Sequence, residues 1–182
     1  INDEVSVKAG RFLSYTGWET AEPTGLYQYS GTGYAGNFYG GYQQGVSAYY
    51  DGAGVDVMGS IVNNVANPID NDTETLVVEL GVALEPMEGV TTKLFYTSGD
   101  DTDLVNFWTA YSADALTLAF EYNMADYAND SEASGFMLMG NYAMEQYGIT
   151  LRYHDFEVEN AAGVTTTEGD AITIAPSYLF SK

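Results

Sequence analysis

Apolar and polar residues alternate with a period of two through most of the chain. In Leu116–Met124, Leu116, Leu118, Phe120, Tyr122 and Met124 fall on one face, and Thr117, Ala119, Glu121 and Asn123 on the other. Successive side chains of a strand point to opposite faces, so this pattern predicts amphipathic strands and not helices. Thr75–Leu84 repeats it, with Leu76, Val78, Leu80, Val82 and Leu84 opposite Val77, Glu79, Gly81 and Ala83. Tyr147–Tyr153 sets Tyr147, Ile149, Leu151 and Tyr153 against Gly148, Thr150 and Arg152, with His154 continuing the polar row. Ala171–Phe180 does the same with Ile172, Ile174, Tyr178 and Phe180. Read throughout, the pattern predicts ten strands: Glu4–Leu13, Gln43–Tyr50, Val55–Asn63, Thr75–Leu84, Val90–Thr97, Leu104–Tyr111, Leu116–Asp126, Gly135–Ala143, Tyr147–Val158 and Ala171–Phe180. Pro176, inside the last of them, places that strand at a seam, an edge or a bulge, because proline cannot donate to a ladder.

The connections sort by length. Tight turns are expected at Asp51–Gly54, Glu85–Gly89, Ser112–Ala115 and Met144–Gln146, and longer acid-rich loops at Asn63–Glu74, Ser98–Asp103, Ala125–Ser134 and Glu157–Asp170. Short turns at one end and long loops at the other are the pattern of an up-and-down barrel across an outer membrane. Tyrosines support it. On the apolar face Tyr50, Tyr111, Tyr142, Tyr147 and Tyr178 gather by the short turns, and Tyr96, Tyr122 and Tyr153 near the loops, as two interfacial belts would. The expectation is all-β: one domain over residues 1–182, an antiparallel transmembrane β-barrel of about ten strands in the bacterial outer membrane. An even strand number puts the first and last strand ends together at the periplasmic side. Ser14–Tyr42 is the longest non-strand stretch. A connection of that length is functional or partly ordered, either as an external flap or folded into the lumen.

Composition narrows the function classes. There are 26 acidic residues against 5 basic ones, a formal net charge of −21, so phosphate neutralisation and nucleic-acid binding are excluded. The chain has no Cys, which removes disulfides and thiolate metal sites. No apolar run is long enough for a membrane-spanning helix, and no basic region followed by an apolar one marks a signal peptide.

Val5-Ser6-Val7-Lys8-Ala9-Gly10-Arg11-Phe12-Leu13, then Gly17-Trp18-Glu19 and Glu22-Pro23, resembles an early strand and loop of the β-barrel porin-2, or OmpL-like, outer-membrane family. The hairpin strand Leu116-Thr117-Leu118-Ala119-Phe120-Glu121-Tyr122 and the closing Ala175-Pro176-Ser177-Tyr178-Leu179-Phe180-Ser181 are similar to later strands of that family. The resemblance implies a diffusion channel and carries no catalytic or binding residues with it. Ten strands are fewer than a general porin has, and Phe180-Ser181-Lys182 is not the terminal aromatic end of such barrels, so the chain reads as a fragment or minimal version.

Within this frame Lys93, Arg152, Glu79, Glu121 and His154 share the polar face and are expected to line the lumen. They serve either as an ion-filtering wall or as a salt-bridged plug, and in a narrow barrel the two readings stand level. Lys8 and Arg11 differ in parity, so alternation lets one of them face inward unless a bulge intervenes. Asp70, Asp72, Asp100, Asp101 and Asp103 are expected to form an acidic mouth that favours cations. Loop Ca²⁺ is the one metal chemistry on offer, at Asp70, Asp72 and Glu74 or at Asp101 with Asp103, against a bland reading as a solvated rim. No cofactor is expected. Enzymatic readings are weak, since His154 is the only histidine and Asp155 beside it points to the opposite face. The leading expectation is a porin-like channel for ions and small hydrophilic solutes, set among outer-membrane lipids. The alternatives are a structural or adhesive barrel with a filled lumen, and a soluble ligand-binding barrel with its apolar face inward.

Overall fold

The computed structural model describes residues 4–19, 25–29, 31, 33–64, 76–99 and 102–180. Ten strands form one antiparallel sheet in chain order. They are β1 (Val5–Leu13), β2 (Tyr42–Asp51), β3 (Val55–Val62), β4 (Val77–Met87), β5 (Val90–Ser98), β6 (Thr102–Ala113), β7 (Leu116–Tyr127), β8 (Glu132–Met144), β9 (Tyr147–Glu159) and β10 (Thr165–Tyr178). A single helical turn, α1 (Ala35–Phe38), lies between β1 and β2. The sheet is open among the described residues: β1 pairs with β2 and β10 with β9, and no ladder joins β1 to β10. β10 accommodates Pro176 as an edge strand with a ladder on one side, and Pro176 stands opposite Ile149 in continuous register. Unpaired strand edges leave N–H and C=O groups that hydrocarbon cannot satisfy, so insertion requires both edges to be paired.

The wall is inside-out relative to a water-soluble protein. Leu80, Leu94, Leu118, Leu138, Ile149, Leu151, Ile172 and Ile174 are exposed on the outer face, whereas Glu79, Glu121, Asn106, Asn123 and Arg152 are buried within. Charged groups are almost never fully buried unless partnered, so this distribution needs lipid outside and a polar packing partner inside. It overturns the soluble-barrel alternative, which required the apolar face to point in. The outer tyrosines form both expected belts. Tyr50, Tyr111, Tyr142, Tyr147 and Tyr178 lie toward the short turns, Tyr96 and Tyr122 toward the loops, all of them exposed.

Two expected boundaries are corrected. β8 begins at Glu132 and β10 at Thr165, so the stretches read as loops at Ala125–Ser134 and Glu157–Asp170 are mostly strand. Their acids misled the reading, because polar composition resembles a loop while alternation continues. On the outer face Asp103 stands opposite Asp126, Asp126 opposite Glu132, Asp155 opposite Asp170 and Glu157 opposite Glu168. Directly opposed like charges are destabilising and are tolerable where water and salt screen them. This acidic row therefore marks where the strands rise out of the hydrocarbon.

The short-turn end is built tightly. Asp114 and Glu145 carry positive φ (50° and 47°) beside Gly54 and Gly89 at the other turns. A left-handed conformation is ordinary for Asp and unfavourable for Glu. Glu145→Gly is expected to stabilise the folded protein by about 0.5–1 kcal/mol, because the exposed side chain sits in a turn. Urea titration in detergent measures this, and an unchanged or lower midpoint would count against it.

Candidate functional site

The site is the space on the polar face of the wall, and the described part of the segment between β1 and β2 lies in it. Alternation aims Glu79 of β4, Asn106 and Trp108 of β6, Glu121 and Asn123 of β7, Met137 and Met139 of β8, and Arg152 and His154 of β9 inward. The described part of Ser14–Tyr42 folds back against these residues and meets all five strands. The described part of the segment packs on the polar face of the wall.

Three carboxylates anchor it. Glu121, fully buried, accepts hydrogen bonds from the Trp18 amide (3.2 Å), the Tyr39 hydroxyl and the Asn106 amide nitrogen. Asn106 Oδ1 accepts from the Gly17 amide at 3.2 Å, while its Nδ2 also donates to Asn123 Oδ1 at 2.7 Å. Asn123 in turn donates to the Tyr34 hydroxyl. Burial and the neighbouring Glu121 push the Tyr34 and Tyr39 phenols up from their ordinary range, so both stay protonated and Tyr39 remains a donor to Glu121. A second anchor is the ion pair of Arg152 with Glu19, both almost wholly buried, with Gln28 Nε2 donating to Glu19 at 2.6 Å and Arg152 donating to Thr173 Oγ1 at 3.1 Å. The third is Glu79, which accepts from the Ser14 hydroxyl and from Gln43. Thr150 adds a hydrogen bond to the Tyr27 carbonyl at 2.7 Å.

Apolar packing completes the attachment. Trp18 meets Trp108 edge-on with ring centroids 5.1 Å apart and stacks on Tyr27. Tyr34 is fully buried with Phe38, Leu104, Ala125, Ala133 and Met137. Two glycines make the fit feasible. Gly17 has φ of 104°, and a Cβ there would lie 2.6 Å from the Tyr39 ring. A Cβ on Gly135 would lie 2.8 Å from the Tyr34 ring, so its absence from β8 is the slot that admits Tyr34.

All five expected lining residues lie on the polar face. Glu79, Glu121 and Arg152 hold the segment. His154 packs between the rings of Tyr34 (5.8 Å) and Phe156 (6.5 Å), and Asp155 points outward beside the Tyr153 hydroxyl. Lys93 lies over the Trp108 ring at 5.0 Å. Lys8 faces inward, opposite Ser47, and Arg11 outward over Tyr42 at 4.8 Å, which settles their parity. Of the expected acidic mouth, Asp103 is exposed on the outer face and accepts from the Tyr96 hydroxyl at 3.2 Å, so it belongs to the outer acidic row and not to the lumen. Asp70, Asp72, Asp100 and Asp101 lie outside the described residues, as does Glu74 with its Ca²⁺ reading. Among the described residues no group of three or more His, Cys, Asp or Glu could hold a metal ion. Sequence reading missed Glu19, Gln28, Tyr34 and Tyr39 of the segment and Asn106 and Asn123 of the wall. The wall pair was within reach, since both amides lie in polar rows.

No family model matches the chain, and no curated protein matches it either. Among solved structures it is similar to OmpTdeltaL8, a loop L8 deletion mutant of OmpT, an outer membrane protein of Vibrio cholerae. The TM-score is 0.67 at 14% identity, covering 98% of this chain and 67% of that one. A likeness at this identity speaks to fold alone, and it does not reach the narrower porin-2 resemblance. Taken with the apolar outer face and the tyrosine belts, it gives the chain the fold of an outer-membrane β-barrel wall.

Proposed function

We propose that the protein is a porin-like channel for ions and small hydrophilic solutes, its bore narrowed by the segment Ser14–Tyr42 and biased toward cations. One observation carries the reading. The described part of the segment is fixed to the wall on one side, and its other side opens on a cavity of about 780 Å³ lined by Leu13 and the segment's own residues, Ser14, Tyr15, Glu19, Tyr29 and Tyr39 among them. A segment packed on every side to fill the lumen would leave no open space of that size. Cation bias follows from the net charge of −21, which attracts cations to the mouth within about a Debye length, roughly 8–10 Å. The bore depends on how the free edges of β1 and β10 are closed. A ring of ten strands is narrow enough for side chains to fill, and 16–18 strands leave an aqueous channel.

The second reading is a structural or adhesive barrel with a filled lumen, favoured by the close packing of Trp18, Tyr34 and Phe38 against β6–β9. Planar-bilayer recording separates the two. Stepwise openings with a cation-selective reversal potential are the expected result. Silence after confirmed insertion would favour the filled barrel, and anion selectivity would overturn the cation bias.

A further inference from the structure

Below the lumen segment, toward the short turns, the inner face holds a separate cavity of about 550 Å³. Small-molecule sites fall between about 300 and 1,000 Å³. Its walls carry charges of both signs: Lys8 of β1 and Lys93 of β5, Asp51 of β2 and Asp56 of β3. These charges are not spent on each other. Among the described residues the only ion pair is Arg152 with Glu19, so neither lysine pairs with Asp51, Asp56 or the nearby Glu85 and Glu88. Lys8 donates to the Tyr49 hydroxyl at 3.3 Å and lies 5.2–5.7 Å from the ring centres of Tyr49, Phe12 and Tyr15. Between the charges the cavity is apolar and aromatic, with Met58, Phe95, Tyr15 and Tyr49. Of the 5 basic residues in this acidic chain, two line this one cavity, Lys93 with its ammonium also over the Trp108 ring at 5.0 Å.

We propose that this cavity binds a small zwitterion of the α-amino-acid class with an apolar or aromatic side chain. Its carboxylate meets the ammonium group of Lys8 or of Lys93, its ammonium faces Asp51 and Asp56, and its side chain lies on the aromatic wall. A simple anion gains from the lysines but is repelled by the aspartates, and a simple cation meets the reverse, so a molecule carrying both charges is favoured. Solvent-exposed charge pairs are weak, each worth up to about 5-fold in affinity. The site therefore exchanges its ligand quickly, as a solute path requires. It stands whether or not the lumen conducts.

The test is titration of the full chain, folded in detergent micelles, by saturation-transfer NMR with L-phenylalanine, phenylacetate and phenethylamine as probes. L-Phenylalanine is expected to bind saturably and about 5-fold more tightly than either singly charged analogue. In K8Q/K93Q its affinity should fall about 5-fold or more, while D51N/D56N should weaken L-phenylalanine and leave phenylacetate unchanged or tighter. All four positions line the cavity, and heat-dependent gel migration verifies that each variant is folded. Absence of saturable binding, equal binding of phenylacetate, or indifference to both double variants would overturn the proposal.

Discussion

Replacing residues 15–40 with a short glycine-serine turn should raise single-channel conductance several-fold and weaken cation selectivity. The hairpin permits such a deletion because its two strands stay together without the segment. β1 and β2 are in continuous register from Val5 opposite Tyr50 to Leu13 opposite Tyr42, and the Ser14 amide donates to the Gly41 carbonyl at 2.9 Å. A shorter loop also costs less closure entropy. On the wall, Glu79, Glu121, Asn106 and Asn123 would exchange protein hydrogen bonds for lumen water, which leaves no buried group unsatisfied. The change in selectivity follows from width and charge. A wider bore carries more of the current beyond a Debye length of the wall charges, and the loss of Glu19 leaves its partner Arg152 on β9 facing the lumen among Glu79 and Glu121. Conductance and reversal potential in a planar bilayer read both effects. Equal conductance with and without the segment would mean that current does not pass beside it.

The contacts that hold the described part of the segment on the polar face were not legible in the sequence, although the wall it rests on was. Period-two alternation located all ten strands, because a lipid face and a polar face must alternate along every strand of such a wall. It also put Glu79, Glu121, Arg152 and His154 on the inner side, since parity alone decides the face. Boundaries failed where composition competed with periodicity. Glu157, Glu159, Glu168 and Asp170 look like loop residues, yet they belong to β9 and β10 above the membrane edge. The segment carries no periodicity to read. Its place is fixed by long-range pairs such as Trp18 with Glu121 and Arg152 with Glu19, separated by 103 and 133 positions along the chain. No local pattern records such pairs. The slots at Gly17 and Gly135 show the same limit, for each glycine is explained by an aromatic ring that arrives from elsewhere in the sequence.

Arg152→Met should release the segment while leaving the strands intact. The guanidinium and the Glu19 carboxylate are both almost wholly buried, and removing one partner leaves the other a desolvated charge beside Gln28. Breaking a buried pair in this one-sided way costs about 3–5 kcal/mol. The lumen gives the protein a cheaper response than unfolding, because the segment can lift off and hydrate Glu19. The β8–β9 and β9–β10 ladders run through Arg152 by backbone pairing, opposite Met139 and Thr173, and do not depend on its side chain. Local opening at the low end of that range corresponds to about 100-fold faster exchange of amides that close only with the segment seated. The Gly17 and Trp18 amides, donors to Asn106 and Glu121, are the reporters. Hydrogen exchange followed by mass spectrometry should show faster exchange across residues 15–40 and unchanged exchange in β6–β8. Glu19→Gln in the Arg152→Met background removes the stranded charge and should restore most of the protection. Uniform loss of protection across the strands would make Arg152 a residue of the wall itself. Unchanged protection of Gly17 and Trp18 would leave Glu121 and Glu79 as the anchors that hold the segment.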